Sequence, residues 1–251
     1  MIAAAEIEPN ELVLEIGPGE GVLTEELLRA GAKVVAVETD ARCILLLEER
    51  FVLEIENGML ALLEGDIRNE DVVERLFHKE LLGKESYKLV ANIPYYITGM
   101  LFRLFLEKLR QPSTIVFLVQ KEVAEEIVSR DGKEGILSLS VKAYGVPRYI
   151  AKVKKEAFSP PPKIDSAILA ITNINRKRVP RRAEKNYFRI VKAGLGSRRK
   201  MLFGNLVRVF PTKRTHIEKI FASVPVEKKI RGEDLSFDTW LALTKALGEL
   251  E

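Results

Sequence analysis

Cysteine and histidine are scarce in this 251-residue chain. Its single cysteine, Cys43, excludes an internal disulfide. With only His78 and His216 beside it, no zinc-type ligand cluster can be assembled, and no metal is expected. No apolar run reaches the roughly 18 to 20 residues that a membrane span needs. The opening Met1-Ile2-Ala3-Ala4-Ala5-Glu6 lacks the basic start and long apolar stretch of a secretion signal. The expectation is a cytoplasmic protein with no membrane partner. Glutamine is also rare (Gln111 and Gln120), a composition associated with heat-adapted proteins. Apolar side chains, by contrast, make up 47% of the chain, which excludes a disordered tail protein. The length suits one large domain or two unequal ones.

Charge is unevenly spread. Between Arg176 and Lys200 stand eleven Lys/Arg and one acid, Glu184, a local charge of +10 within a chain of net +4. The remaining 29 basic and 35 acidic residues give −6 elsewhere. An acidic body carrying one strongly basic segment is the electrostatic footprint expected for a polyanion partner, although such a run also serves as a solvated surface or linker.

Strand-like and helix-like segments alternate over the first two-thirds. Strands are predicted at 12–16, 33–38, 60–64, 87–92 and 115–119, with helices from the glycine turn 17–21 to about Ala30, over 42–56, near 71–77 and near 100–109. That alternation predicts an α/β fold with a mostly parallel sheet. Two further strands around Ser159-Pro160-Pro161-Pro162 would add an antiparallel pair at its edge. Residues 173–180 read as a polar, basic linker ending in proline. Beyond it Tyr187, Ile190 and Val191, then Met201, Leu202 and Leu206, then Ile217 and Ile220, then Leu235 and Trp240 to Leu247 recur at helical spacing. The expected division is therefore an α/β domain over 1–172 and a small all-helical domain over 180–251.

Three motifs carry chemistry. Glu15-Ile16-Gly17-Pro18-Gly19-Glu20-Gly21 follows the first strand and opens a helix, where glycines allow a sharp turn and close approach of a ligand to the main chain. Glu38 ends the next strand, the place where an acid binds the ribose hydroxyls of an adenine nucleoside. Taken alone, this pair fits a dinucleotide or S-adenosylmethionine. The spacing G-x-G-x-G and the acidic company of Glu20 suit a positively charged ligand better than a pyrophosphate. Glu64-Gly65-Asp66-Ile67 ends the third strand; Asp66 suits either a helix N-cap or an acceptor for an exocyclic adenine amine.

The third motif, Ala91-Asn92-Ile93-Pro94-Tyr95-Tyr96-Ile97-Thr98, ends the fourth strand, where open α/β sheets bind ligands. Pro94 fixes the chain so that the Ile93 carbonyl and the Asn92 amide oxygen lie together. Two acceptors at one spot match the two hydrogens of a planar amine such as adenine N6. Tyr95 offers an aromatic face for a flipped base.

With GPGEG (17–21), Glu38, EGDI (64–67), NIPYYIT (92–98), FSPPPKIDS (158–166), GSRRKML (196–202) and RGEDLSFDTWLAL (231–243), the chain resembles the ribosomal RNA adenine N6,N6-dimethyltransferase family along nearly its whole length. The resemblance implies a Rossmann-like methyltransferase domain that uses S-adenosylmethionine, without metal, to dimethylate two adjacent adenines of small-subunit ribosomal RNA. It further implies that Gly17, Gly19 and Gly21 border the cofactor, with Glu38 at its ribose, Asp66 at its adenine amine and Asn92 at the same site. Asn92, Ile93, Pro94 and Tyr95 would hold the target adenine, and Phe158 would stack on its other face. Arg181, Arg182, Arg198, Arg199 and Lys200 are the expected RNA contacts, and the protein is expected to act as a monomer on ribosomal RNA or the immature small subunit. Erythromycin-resistance methylases share N-[IL]-P-Y, but the triple proline 160–162 favours the ribosome-maturation branch. Competing readings are an adenine methylase of large-subunit RNA or DNA, and an assembly factor with secondary catalysis. The segment with a glutamine-x-phenylalanine-leucine motif that family members carry ahead of the first strand does not appear in this sequence.

Overall fold

The structure, a computed structural model, describes residues 1–78, 81–197, 199–224 and 226–248, with the side chain of Tyr95 outside that description. Seven strands form one sheet: β1 (Leu12–Ile16), β2 (Lys33–Glu38), β3 (Leu60–Glu64), β4 (Lys88–Asn92), β5 (Thr114–Gln120), β6 (Val146–Val153) and β7 (Ser166–Thr172). Their spatial order is β3-β2-β1-β4-β5-β7-β6. The first five pair in parallel, and β7 runs antiparallel against β5. Central strands such as Val34-Val35-Ala36-Val37 are buried throughout, as parallel strands covered on both faces must be.

Register decides where chemistry can occur. Ile16 pairs with Val37, Glu38 with Glu64, and Asn92 with Leu118, so the C-terminal ends of β1 to β4 finish at one edge. Strand order reverses between β1 and β4, because β2 and β3 build outward on one side of β1 and β4 starts the other. Crevices open at such a switch point.

The helices of this half follow the sequence pattern with local differences. Helix α1 (Ile2–Ala5) precedes β1, and α2 (Val22–Arg29) starts at Gly21. The helix expected over 42–56 is two, α3 (Ala41–Arg50) and α4 (Val52–Glu56). The break falls at Phe51, whose φ/ψ of −118°/36° leaves the helical region and whose ring is buried. A short α5 (Glu70–Leu76) precedes β4. After β4, α6 (Thr98–Arg103) passes into a wider π turn over Leu104–Lys108 that buries Phe105 and Leu106.

Two compact units emerge, one comprising residues 1–121 with 148–174, the other 122–147 with 175–251. This corrects the boundary expected near 172. Helices α7 (Lys121–Val128) and α8 (Ile136–Lys142) lie outside the sequence-based expectation, and nearly all of their length belongs with α9 (Arg181–Leu195), α10 (Leu202–Val209), α11 (Arg214–Ser223) and α12 (Phe237–Leu247). The cause is a set of polar ties: Tyr187 donates to the Leu139 carbonyl at 3.2 Å, the Glu134 N–H to the Glu233 carbonyl at 2.7 Å, and Lys133 meets Glu233 at 3.0 Å.

The expected linker 173–180 is likewise built into the second unit from Asn175 onward. Asn175 N–H donates to the Tyr144 carbonyl, Val179 is buried, and Arg178 donates to the carbonyls of Lys142 and Gly145 at 2.9 and 3.0 Å. A guanidinium there satisfies carbonyls at the end of α8 that have no partner within the helix. Trp240 anchors the helical core, fully buried, with its indole N–H on the Gly232 carbonyl at 3.0 Å. Met201, expected in that core, is half exposed, and its backbone pairs with Arg231 in an isolated bridge.

Candidate functional site

At the edge where β1 to β4 end lies a cavity of about 550 Å³, formed wholly by the first unit. Its size falls within the roughly 300 to 1,000 Å³ of small-molecule sites. Gly17, Glu38, Asp66, Asn92, Ile93, Pro94 and Phe158 all line it, so stretches far apart in the chain converge there.

The glycine turn and Glu38 form one unit. Gly19 adopts φ +56° and its N–H donates to the Glu38 carboxylate at 3.1 Å. The other carboxylate oxygen accepts from the N–H of Thr39 at 2.6 Å, its hydroxyl at 3.2 Å, and the N–H of Asp40 at 3.0 Å. Glu38 is 8% exposed, yet it lines the cavity. Its Gly19-bound oxygen holds one donor and keeps acceptor capacity for a hydroxyl, since a carboxylate offers about four lone-pair sites. Gly21 (φ +84°) admits no side chain: a Cβ there would stand 2.7 Å from Leu47 and from Phe51. Gly19 and Gly21 thus shape the turn, and Gly17 alone of the three reaches the cavity wall.

Glu15, which the sequence places only within the first motif, is a buried acid behind this turn. It is 1% exposed and accepts a 2.7 Å hydrogen bond from the Thr24 hydroxyl of α2. Burial pushes its carboxyl up to about 7; the Thr24 bond opposes that shift, and the nearby Glu38 charge adds to it.

Asp66 is not a helix cap, because α5 is preceded by Asn69. Its carboxylate instead accepts the Arg68 backbone N–H at 2.9 Å and is gripped by Nε and Nη2 of the same arginine. Arg68 therefore holds the Asp66 carboxyl below the usual aspartate range. Arg68 itself joins the cavity wall, as do Thr39, Tyr96 and Met100, to which the motifs assign no role. Their only signal in the sequence is closeness to a motif residue.

At the end of β4, Asn92 is exposed in the cavity wall and Ile93 is buried. Pro94 leads into a single 3-10 turn, Tyr95–Ile97, closed by the Ile97 N–H on the Pro94 carbonyl at 3.2 Å. The expected stacking by Tyr95 rests on a side chain outside the described residues. Distant in sequence but on the same wall, Phe158 belongs to a loop pinned by Asp165, which accepts from the Lys155 N–H at 3.1 Å and pairs with Lys152 at 2.7 Å.

The basic segment belongs to the second unit from Arg176 on. Arg181 and Arg182 are exposed in the first turn of α9, and Arg199 and Lys200 are exposed near its end; Arg198 lies outside the described residues. Other cations of the run have internal work: Arg176 pairs with Glu184, Arg178 holds α8, and Arg189 lies over Phe210 with 4.8 Å to the ring centroid. Among the described residues no group of three or more His, Cys, Asp and Glu is placed to hold a metal ion, and no helix is long and apolar enough to cross a membrane.

The comparisons with known proteins agree with one another. The family model described as ribosomal RNA adenine dimethylase matches residues 1–246. Ribosomal RNA small subunit methyltransferase A of Dehalococcoides mccartyi is 38% identical over 246 residues, covering 97% of this chain and 81% of that protein. Its namesake from Synechococcus elongatus is 37% identical over 259 residues, covering 99% and 89%. Among solved structures, the 23S rRNA methyltransferase ErmE superposes with a TM-score of 0.75 at 25% identity, covering 98% of this chain and 94% of that one. A dimethyladenosine transferase from Plasmodium falciparum gives 0.79 at 24% identity, covering 96% and 91%, a likeness of fold. With a Rossmann-like methyltransferase fold and a family match spanning almost every residue, this chain belongs to the ribosomal RNA adenine dimethylase family.

Proposed function

We propose that this protein dimethylates N6 of two adjacent adenines in small-subunit ribosomal RNA, with S-adenosylmethionine as methyl donor. The observation that carries the reading is the convergence of Gly17, Glu38 and Asp66 with Asn92, Ile93 and Phe158 on one cavity. The donor set fits the cofactor: the buried Glu38 carboxylate with a free acceptor site suits ribose hydroxyls, and its negative charge suits a cationic ligand. Asp66, in the same wall, would take the cofactor's adenine amine by exchanging part of its contact with Arg68.

Bound S-adenosylmethionine supplies an electrophilic methyl group on a sulfonium. The protein's part is to aim a nucleophile at it. The Asn92 amide oxygen and Ile93 carbonyl accept the two hydrogens of adenine N6, which makes the nitrogen pyramidal and turns its lone pair toward the methyl. In the first transfer the N–C bond would form as the methyl–sulfur bond breaks and the neutral thioether departs. The two N–H hydrogens would become more positive and both hydrogen bonds would strengthen, so the gain appears in the rate. In the second transfer the one remaining N–H would keep one of these acceptors. The proton released from the alkylated amine passes to water. No strong base is needed, and Glu38 and Asp66 are committed to the cofactor. Phe158 and Tyr95 stack on the flipped base.

The unit of residues 1–121 and 148–174 would then serve as the methyltransferase part, and the unit of 122–147 and 175–251, with exposed Arg181, Arg182, Arg199 and Lys200, as the RNA-facing part. Binding is to ribosomal RNA, free or in the immature small subunit, by a cytoplasmic monomer. The test is label transfer from S-adenosylmethionine to duplex DNA, protein-free small-subunit RNA and immature subunits side by side, with the label mapped to adenine N6. Transfer to DNA in preference to both RNA substrates refutes the reading. In single-turnover reactions Asn92→Ala should slow transfer about a hundredfold, as loss of one transition-state hydrogen bond does; a loss below about fivefold refutes the grip on the amine.

A further inference from the structure

Tyr96 is the odd member of the cavity wall. The residue is 85% exposed, although it lines the same cavity as Asn92, Pro94 and Phe158. The one-turn helix behind Pro94 holds its backbone in place. A singly exposed aromatic is ordinary on a protein surface. What distinguishes this one is its company: Arg68, whose side chain is 60% exposed, lines the same cavity. Arg68 uses Nε and Nη2 on Asp66, which leaves Nη1 to donate elsewhere.

An aromatic face beside a guanidinium is the pair of groups that holds a nucleotide in a single strand, the face for its base and the cation for its phosphate. A base turned into the cavity stays covalently tied to its neighbours, so a flanking nucleotide has to lie along the rim.

We propose that Tyr96 and Arg68 form a second nucleotide subsite, in which Tyr96 stacks on the base next to the target adenine and Arg68 Nη1 holds that nucleotide's phosphate. The proposal rests on the RNA-methylating function above. Every base has a π face, so the subsite fixes the course of the strand without reading its sequence. Tyr96 is thus a positioning residue, and Arg68 links the RNA to the carboxylate expected at the cofactor's adenine.

The test uses the whole protein with saturating S-adenosylmethionine and three RNA hairpins: unmodified, abasic on the 5′ side of the target adenine, and abasic on its 3′ side. On unmodified RNA, Tyr96→Ala should raise the KM for RNA about tenfold with kcat changed by less than about twofold, and Tyr96→Trp should restore it. On one of the two abasic hairpins the unaltered protein should already show that loss, and Tyr96→Ala should add nothing. Arg68→Gln should flatten the salt dependence of RNA binding by about 0.7 in log–log slope, the share of one phosphate. An equal Tyr96→Ala penalty on all three hairpins, or no change in KM, overturns the subsite while leaving the function intact. Failure of the unaltered protein to methylate the unmodified hairpin, protein-free ribosomal RNA and immature subunits alike overturns the function and the subsite together.

Discussion

Replacing Glu15 with glutamine should change how stability depends on pH, because this acid is buried without a cation. It is 1% exposed and has one hydrogen bond, from Thr24. Its carboxyl moves from an ordinary 4.5 to about 7, chiefly through burial. Between those two values the native protein retains a proton that the unfolded chain has released. Stability therefore falls as pH rises through the window, by about 3 kcal/mol at its upper end. Glutamine keeps the size and an acceptor for Thr24 but carries no charge. The stability gap between Glu15→Gln and the unaltered protein should consequently widen by about 2.5 kcal/mol from pH 5 to pH 8, in favour of the variant. Urea unfolding of both proteins at each pH measures the gap directly, and all other titrating groups cancel in the difference. A gap that stays constant across the range would refute the account of Glu15 as a desolvated, unpaired acid.

Glu38→Ala should weaken S-adenosylmethionine binding at least tenfold by calorimetry, since charge-assisted hydrogen bonds contribute about 1.5 to 3 kcal/mol each; unchanged affinity removes the ribose assignment. The same substitution frees the Gly19 N–H, so amide exchange in the glycine turn should quicken. Replacing Arg199 and Lys200 with glutamine should lower RNA affinity and reduce the log–log salt slope by about 0.7 for each phosphate that is no longer neutralised. An unchanged slope places the RNA elsewhere on the protein. Arg178→Ala should destabilise the protein by about 2 to 3 kcal/mol in chemical denaturation, through two carbonyls left without their charged donor. Arg178→Lys should recover little of that, because an ammonium does not reproduce the planar fork.

The sheet is readable because parallel strands leave a plain mark: Lys33–Glu38 and Leu60–Glu64 are runs of apolar residues ending in an acid, and the structure has them over those same residues. The motifs at strand ends inherit that legibility, which is how Glu38, Asp66 and Asn92 can be named without sight of their convergence. Helices α7 and α8 are eight and seven residues long and fall outside the alternation that marks the equally short α2 and α5. A segment that short shows barely two turns of apolar spacing, and its membership of the second unit depends on partners far away in sequence, Tyr187 and Glu233. The run 173–180 misleads for a related reason: arginine reads as solvated, whereas Arg178 spends its donors on carbonyls more than thirty positions earlier. Nothing in the sequence Asp66-Ile67-Arg68 distinguishes a free carboxylate from one gripped by the arginine two residues on. Glu15 looks like a strand residue, and its raised pKa exists only because β1 is enclosed on both sides by β2 and β4.

The reversal of strand order at β1 also separates two kinds of heritable change. Every residue assigned to the methyl donor alone hangs from β1, β2 or β3, on one side of the reversal, whereas the residues assigned to the target adenine hang from β4 and from the Phe158 loop before β7, on the other. Mutation can therefore redraw the acceptor side, in loop length, aromatic faces or rim charge, without disturbing the hydrogen bonds that order Gly19 around Glu38. A lineage built on this sheet is free to explore new nucleic-acid targets while its donor chemistry stays fixed, and the two halves of the cleft should accumulate substitutions at different rates.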